Sequence, residues 1–111
     1  MPKKNFTQAE IWQYLNNNPL GVKTHMGDLE DLNGNDYIFF DYLTDEVIAY
    51  DNKADYVTEV QFTICTKDFA KRKVLVKYLK QMFTGAVRYE HDGEHQYYLA
   101  RMETSLFIYE P

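Results

Sequence analysis

Apolar residues along this chain recur with two different periods, and each change of period marks an element. Ile11, Tyr14 and Leu15 fall on one side of a helical surface, with Trp12 beside Gln8 on another. Thr7 stands where an N-cap belongs, Glu10 completes a capping box three residues on, and Phe6 can staple onto Ile11. A helix is therefore predicted from Thr7 to Leu15. The segment from Asn16 to Gly21 ends it, because Pro19 and Gly21 break helices and Asn tolerates a left-handed cap. A short strand is expected over Val22 to His25, and a polar loop over Gly27 to Asp36.

Period two then takes over. Tyr37 to Tyr42 is apolar or aromatic on both faces, with Tyr37 and Phe39 on one and Ile38, Phe40 and Tyr42 on the other, which places it inside a sheet or between partners. Leu43 to Glu46 reads as a turn, Val47 to Tyr50 as another short strand, and Asp51 to Asp55 as a connector. The clearest alternation runs from Tyr56 to Cys65: Thr58, Val60, Phe62 and Ile64 face one way, and Glu59, Gln61 and Thr63 the other. Asp68 caps a helix to about Phe83, whose buried stripe is Val74, Leu75, Tyr78, Leu79, Met82 and Phe83 and whose outer face carries Lys and Arg. Lys77 and Lys80 suit the negative end of its dipole.

Val87 to Glu90 and His95 to Tyr109 flank an Asp92-Gly93 hairpin signal. Tyr98, Ala100, Met102, Leu106 and Ile108 share one face of the last strand, which is long enough to bend or to overhang and offer an edge to another subunit. The predicted class is α+β, with an antiparallel or mixed sheet of about four to five strands packed against two helices in a single domain over residues 1–111.

Composition adds that the chain can fold, since 45% hydrophobic and 26% charged residues is an ordinary globular balance. Aromatics reach 16%, with ten Tyr, more than a core of this size needs, and such an excess often ends in an interface. No signal-like apolar segment opens the chain, and no run approaches the roughly 18 apolar residues of a membrane span, so a cytosolic protein without a membrane partner is expected. Cys65, alone in a Val/Phe/Ile-rich run, reads as a buried structural thiol.

The net charge of −5 hides an uneven distribution. Residues 27–59 hold ten Asp and Glu against Lys53, a balance of minus nine, while residues 67–80 hold six Lys and Arg against Asp68, a balance of plus five. Opposite fields on neighbouring segments suit head-to-tail self-association, the alternative being two solvated faces of a monomer. Asp41, Asp45, Glu46, Asp51 and Asp55 on one side, and Lys71, Arg72, Lys73 and Lys77 on the other, are the candidate subunit or docking residues.

Catalytic signatures are absent: the sequence has no Gly-rich phosphate loop, Cys-pair metal site, nucleophile elbow or His-Glu-x-x-His run, so no enzyme activity, cofactor or metal is expected. His91, Asp92, Glu94 and His95 could gather a divalent ion but read more simply as a polar turn. His25 reads as a packing or exposed residue. Asp41, Asp45 and Glu46 are the one carboxylate grouping near aromatics, with nothing to set them across a cleft. The basic helix could grip phosphates, and Tyr97 with Tyr98 could stack bases, yet the acidic whole chain argues against strong nucleic-acid binding.

In their order and wording these elements resemble the small tail completion, or tail-to-head joining, proteins of long-tailed bacteriophages, a group akin to neck and tail terminator proteins. The matching parts are Thr7 to Leu15, Tyr37 to Tyr50 with the Asp51 to Asp55 connector, Tyr56 to Thr66, Asp68 to Phe83, and Val87 to Tyr109, nearly the whole chain. The resemblance implies a structural virion-assembly protein, made in the bacterial host cytoplasm and placed at the neck or tail end. It further implies a ring of about six copies that meets the tail tube protein and the head connector proteins. The alternative is a prophage-encoded binding module for nucleic acid or a host protein.

Overall fold

The computed structural model describes residues 5–26, 36–50, 53–94 and 96–108. Strand β1 (Asn5–Phe6) leads into helix α1 (Gln8–Asn16), which begins as its sequence predicts. The Glu10 amide donates to Thr7 Oγ1 at 3.2 Å and the Thr7 amide donates to Glu10 Oε1 at 3.0 Å, satisfying two donors that a helix start leaves orphaned. The helix ends on Asn17, which is not left-handed; the positive φ of the segment falls on Gly21, at 64°. Between them the buried Asn18 side chain organises the turn. Its amide nitrogen donates to the Leu15 and Val22 carbonyls, and its oxygen accepts from the Leu20 and Val22 amides.

Strand β2 (Lys23–Met26) runs parallel to β3 (Tyr37–Tyr50), which is antiparallel to β4 (Lys53–Thr66). Two expectations change here. Leu43 to Glu46 is not a turn, and Val47 to Tyr50 is not a separate strand: β3 runs through both, and the register resumes at Thr44↔Glu59 after Tyr42↔Val60. Leu43 is thus the one extra residue of a β-bulge, which breaks the period-two pattern without ending the strand. The connector also shrinks, because β4 already begins at Lys53 and pairs with Tyr50. Asp51 and Asn52 lie outside the described residues, as does the predicted loop up to Asn35.

Helix α2 (Phe69–Lys80) is capped by Asp68, whose Oδ1 accepts from the Ala70 and Lys71 amides. Strands β5 (Val87–Asp92) and β6 (Tyr97–Ile108) form the closing hairpin, and β6 pairs with β4 from Val57 to Thr66. The mixed sheet has the order β1-β6-β4-β3-β2, with β5 also on β6. Five substantial strands and the two-residue β1 lie against two helices, so the α+β class stands. Since β4 fills one side of β6, β5 and β1 share the other, at Tyr97 to Met102 and at Phe107 and Ile108.

The alternation of β4 holds at its core end: Val60, Phe62 and Ile64 are fully buried beneath the helices with Ile11, Leu15, Leu75, Leu79 and Phe83. Each such side chain contributes about 1.5–3 kcal/mol by leaving water. Phe83 sits at the centre of the core, its ring 4.4 Å from that of Phe62 and 5.2 Å from that of Phe6. On the other sheet face Tyr37, Phe39, Cys65 and Tyr97 form a smaller buried cluster. Cys65 is a free buried thiol, as expected, and burial together with the nearby Asp36 pushes it up to about 11.

Candidate functional site

The β3–β4 hairpin is longer than the body that supports it. Beyond the level of Glu46↔Val57, where β6 ends its pairing at Phe107, four more pairs continue from Val47↔Tyr56 to Tyr50↔Lys53 with no third strand among the described residues. On its outer edge β3 has β2 as a partner only from Tyr37 to Phe40. An isolated two-stranded hairpin is marginally stable in water, so a projecting arm of this kind gains from a surface to lie on. Asp45, Glu46 and Asp55 sit on the arm by register, opposite Thr58, Val57 and Ile48. Asp41 is at its root, exposed, with Oδ1 accepting from the Tyr42 amide at 2.9 Å. Asp51 lies outside the described residues.

Two large apolar side chains stand beside that root. Trp12 is 40% exposed with its ring 5.7 Å from Phe40, and Met26, 46% exposed, is the register partner of Phe40 and accepts from Gln8 Nε2. Leu43, the bulge residue, is 44% exposed.

The second surface is α2, and one part of its predicted outer face turns inward. Arg72 is buried, not exposed: Nη1 donates to the Glu90 and Leu99 carbonyls at 3.3 and 3.2 Å, and the guanidinium lies 4.8–5.4 Å from the Phe69, Tyr89 and Tyr98 rings. Periodicity misses this because a Lys/Arg run looks uniformly polar, whereas a planar guanidinium can stack on rings while its N–H groups reach backbone oxygens. Val76 takes the buried place predicted for Val74, which is 41% exposed. Lys71 is engaged with Asp36 at 3.4 Å, and Asp36 also accepts from the Lys67 amide.

Lys73, Lys77 and Lys80 are exposed and have no ion-pair partner among the described residues. With Phe69 they fall at i, i+4, i+8 and i+11, a single stripe of the helix. Phe69 and Tyr89 flank the Arg72 guanidinium and are themselves 50% and 54% exposed. Sequence reasoning passed over these rings and Met26; the available signal was an aromatic residue three positions before an Arg on a helix.

The remaining candidates separate. Tyr97 is buried in the smaller cluster with Lys67 over its ring, while Tyr98 points to the helix side against Phe69 and His91, so the two do not form one stacking platform. Asp92 accepts from the Glu94 amide within the hairpin turn, and His95 lies outside the described residues. Among the described residues no three of His, Cys, Asp and Glu gather as metal ligands, and no helix is long and apolar enough to cross a membrane. The His25 ring packs on Tyr37 and Phe39.

No protein-family model matches the sequence, and no curated protein matches it. Its fold is similar to that of a chain in the virion of a native gene transfer agent particle, with a TM-score of 0.59 over 87% of this chain and 90% of that one. The sequence identity is 11%, and the likeness is one of fold.

Proposed function

We propose that this protein is a structural component of a phage-like virion that joins the tail to the head connector as a ring of identical copies at the tail end. The observation that carries the reading is the fold shared over almost the full length of both chains with a component of a virion particle. The described surfaces support it: a two-stranded arm reaches beyond the body, and a helix on the same subunit presents lysines without an ion-pair partner among the described residues. Copies that carry two different, complementary patches close into rings when the rotation between them allows it. The partners in this reading are further copies, the tail tube protein and the head connector proteins, and the role is mechanical, without catalysis.

Electron microscopy of particles from the source phage or prophage with this gene deleted tests the proposal. Full heads beside separate tails would support joining. Tails of uncontrolled length would place the protein at length termination instead. Intact virions would overturn the virion role and leave a binding module for nucleic acid or a host protein.

A further inference from the structure

We infer that the β3–β4 arm of one copy lies across the α2 and β5 surface of a second copy, acid against base and apolar against apolar, as a head-to-tail contact. The inference names the surfaces for the self-assembly in the proposed function and rests on that part of it.

Charge identifies the occupant. Residues 41–59 carry Asp41, Asp45, Glu46, Asp51, Asp55 and Glu59 against Lys53, and the stripe of Lys73, Lys77 and Lys80 lacks acids within its own subunit among the described residues. The β3–β4 pairing continues beyond β6, whereas the stripe lies on the helix packed over β4 and β6, so the two surfaces stand at different places on one subunit and can meet on different copies. Apolar complementarity adds to it: Trp12 and Met26 are exposed beside Phe40 at the arm root, and Phe69, on the lysine stripe, is exposed together with Tyr89 around the Arg72 guanidinium. Aromatic anchors ringed by charged residues are the usual composition of a specific interface, in which the rings supply affinity and the charges supply register. Because the two surfaces differ, each copy offers a free arm at one side and a free helix at the other, and the assembly grows in one direction.

Arg72, though on the same helix, is buried and does not belong to that surface. It is consumed within the subunit and holds Phe69 and Tyr89 apart at the rim, so it positions the rings without meeting the partner itself.

Charge-swap complementation in sedimentation velocity tests the contact on the full chain. One variant carries Lys73→Glu, Lys77→Glu and Lys80→Glu; the other carries Asp41→Lys, Asp45→Lys and Glu46→Lys. The wild type is expected to associate at low salt and to weaken as salt rises. Each variant alone should associate at least about tenfold more weakly, since like charges then face each other. An equimolar mixture should associate again, because the reversed arm meets the reversed helix, and a misfolded variant cannot produce that rescue. If a triple reversal lowers the thermal midpoint, the single pair Lys77→Glu and Glu46→Lys replaces it. A mixture that stays monomeric with both midpoints native would overturn the inference, as would a wild type monomeric at every concentration up to about 1 mM. Rescue alongside intact virions in the deletion phage would remove the tail role and leave the contact; a failed rescue alongside separated heads and tails would do the reverse.

Discussion

The Tyr14 and Tyr78 hydroxyls each donate to the other residue's backbone carbonyl, at 2.6 Å in both directions, with the rings stacked at 4.4 Å and 9° between planes. This reciprocal clasp ties α1 to α2 over the same sheet face. The Tyr14 carbonyl lies in the last turn of its helix and also accepts the Asn17 amide, so a side chain from 64 residues away shares an end that would otherwise turn to water.

Removing either hydroxyl should cost about 1 kcal/mol, the net worth of an ordinary hydrogen bond, and chemical denaturation of Tyr14→Phe and Tyr78→Phe checks it. The double variant should cost less or more than the sum, with a coupling of about 0.5 kcal/mol or above, because the two bonds share one stacked geometry. Strict additivity would mean that the bonds form independently.

The clasp also sets an alkaline limit. Burial, and then the neighbouring Tyr78, push the Tyr14 phenol up to about 12, and burial raises Tyr78 as well. An unfolded tyrosine loses its proton near pH ~10. The folded state therefore holds protons that the unfolded state has released, and stability that is full below that pH falls as pH rises towards 12. Thermal melts from pH 9 to 12 should show the fall, and Tyr14→Phe should blunt it.

Asn18→Asp should destabilise the α1–β2 turn more than Asn18→Ala. The two carbonyls that now accept from the Asn18 amide would face a carboxylate oxygen, a cost of about 2–3 kcal/mol or more with burial included. Equal losses in urea titrations would mean that the turn is held by Gly21 and Pro19 alone.

Gly85→Ala should cost about 1–3 kcal/mol by overpacking. A Cβ at Gly85 would collide with the backbone carbonyl oxygen of Glu103 and press on Met102 Cγ at 3.1 Å. This is where β6 has left β5 and not yet met β1, and where the Thr104 hydroxyl donates to the Thr84 carbonyl. An unchanged thermal midpoint would show that the connection can move aside.

Arg72→Glu should be far more damaging than Lys73→Glu. The first sets a buried carboxylate against two carbonyls and three rings, a loss of about 3–5 kcal/mol, whereas the second lies within ~0.5 kcal/mol because Lys73 is exposed. Thermal denaturation separates the two, and it explains why a reversal of Lys71, Arg72 and Lys73 together would confuse folding with assembly.

Legibility in the sequence followed how local the cause was. The capping box of Thr7 and Glu10, the Asp68 cap and the Val60, Phe62 and Ile64 face depend on near neighbours and could be read directly. The Leu43 bulge could not, because one inserted residue followed by Thr44, Asp45 and Glu46 has the same wording as a turn, and only pairing with β4 tells them apart. The parallel placement of β2 and β1 depends on partners far along the chain. Of the candidate site, the opposite charges were visible as sums. The inward turn of Arg72 was harder to see, since Phe69 is the one partner near it in sequence, while the Glu90 and Leu99 carbonyls and the Tyr89 and Tyr98 rings come from β5 and β6.

The pairing of Asn5 with Phe107 and of Phe6 with Ile108 bears on when a subunit becomes competent. Strand β1 cannot take its place until Phe107 and Ile108 are in theirs, so this edge of the sheet closes through a contact between distant parts of the sequence. That edge lies level with Val57, the point from which the arm departs. The level from which the arm departs is therefore closed by a pairing of high sequence separation, whose loop-closure entropy must be met before the contact is rewarded.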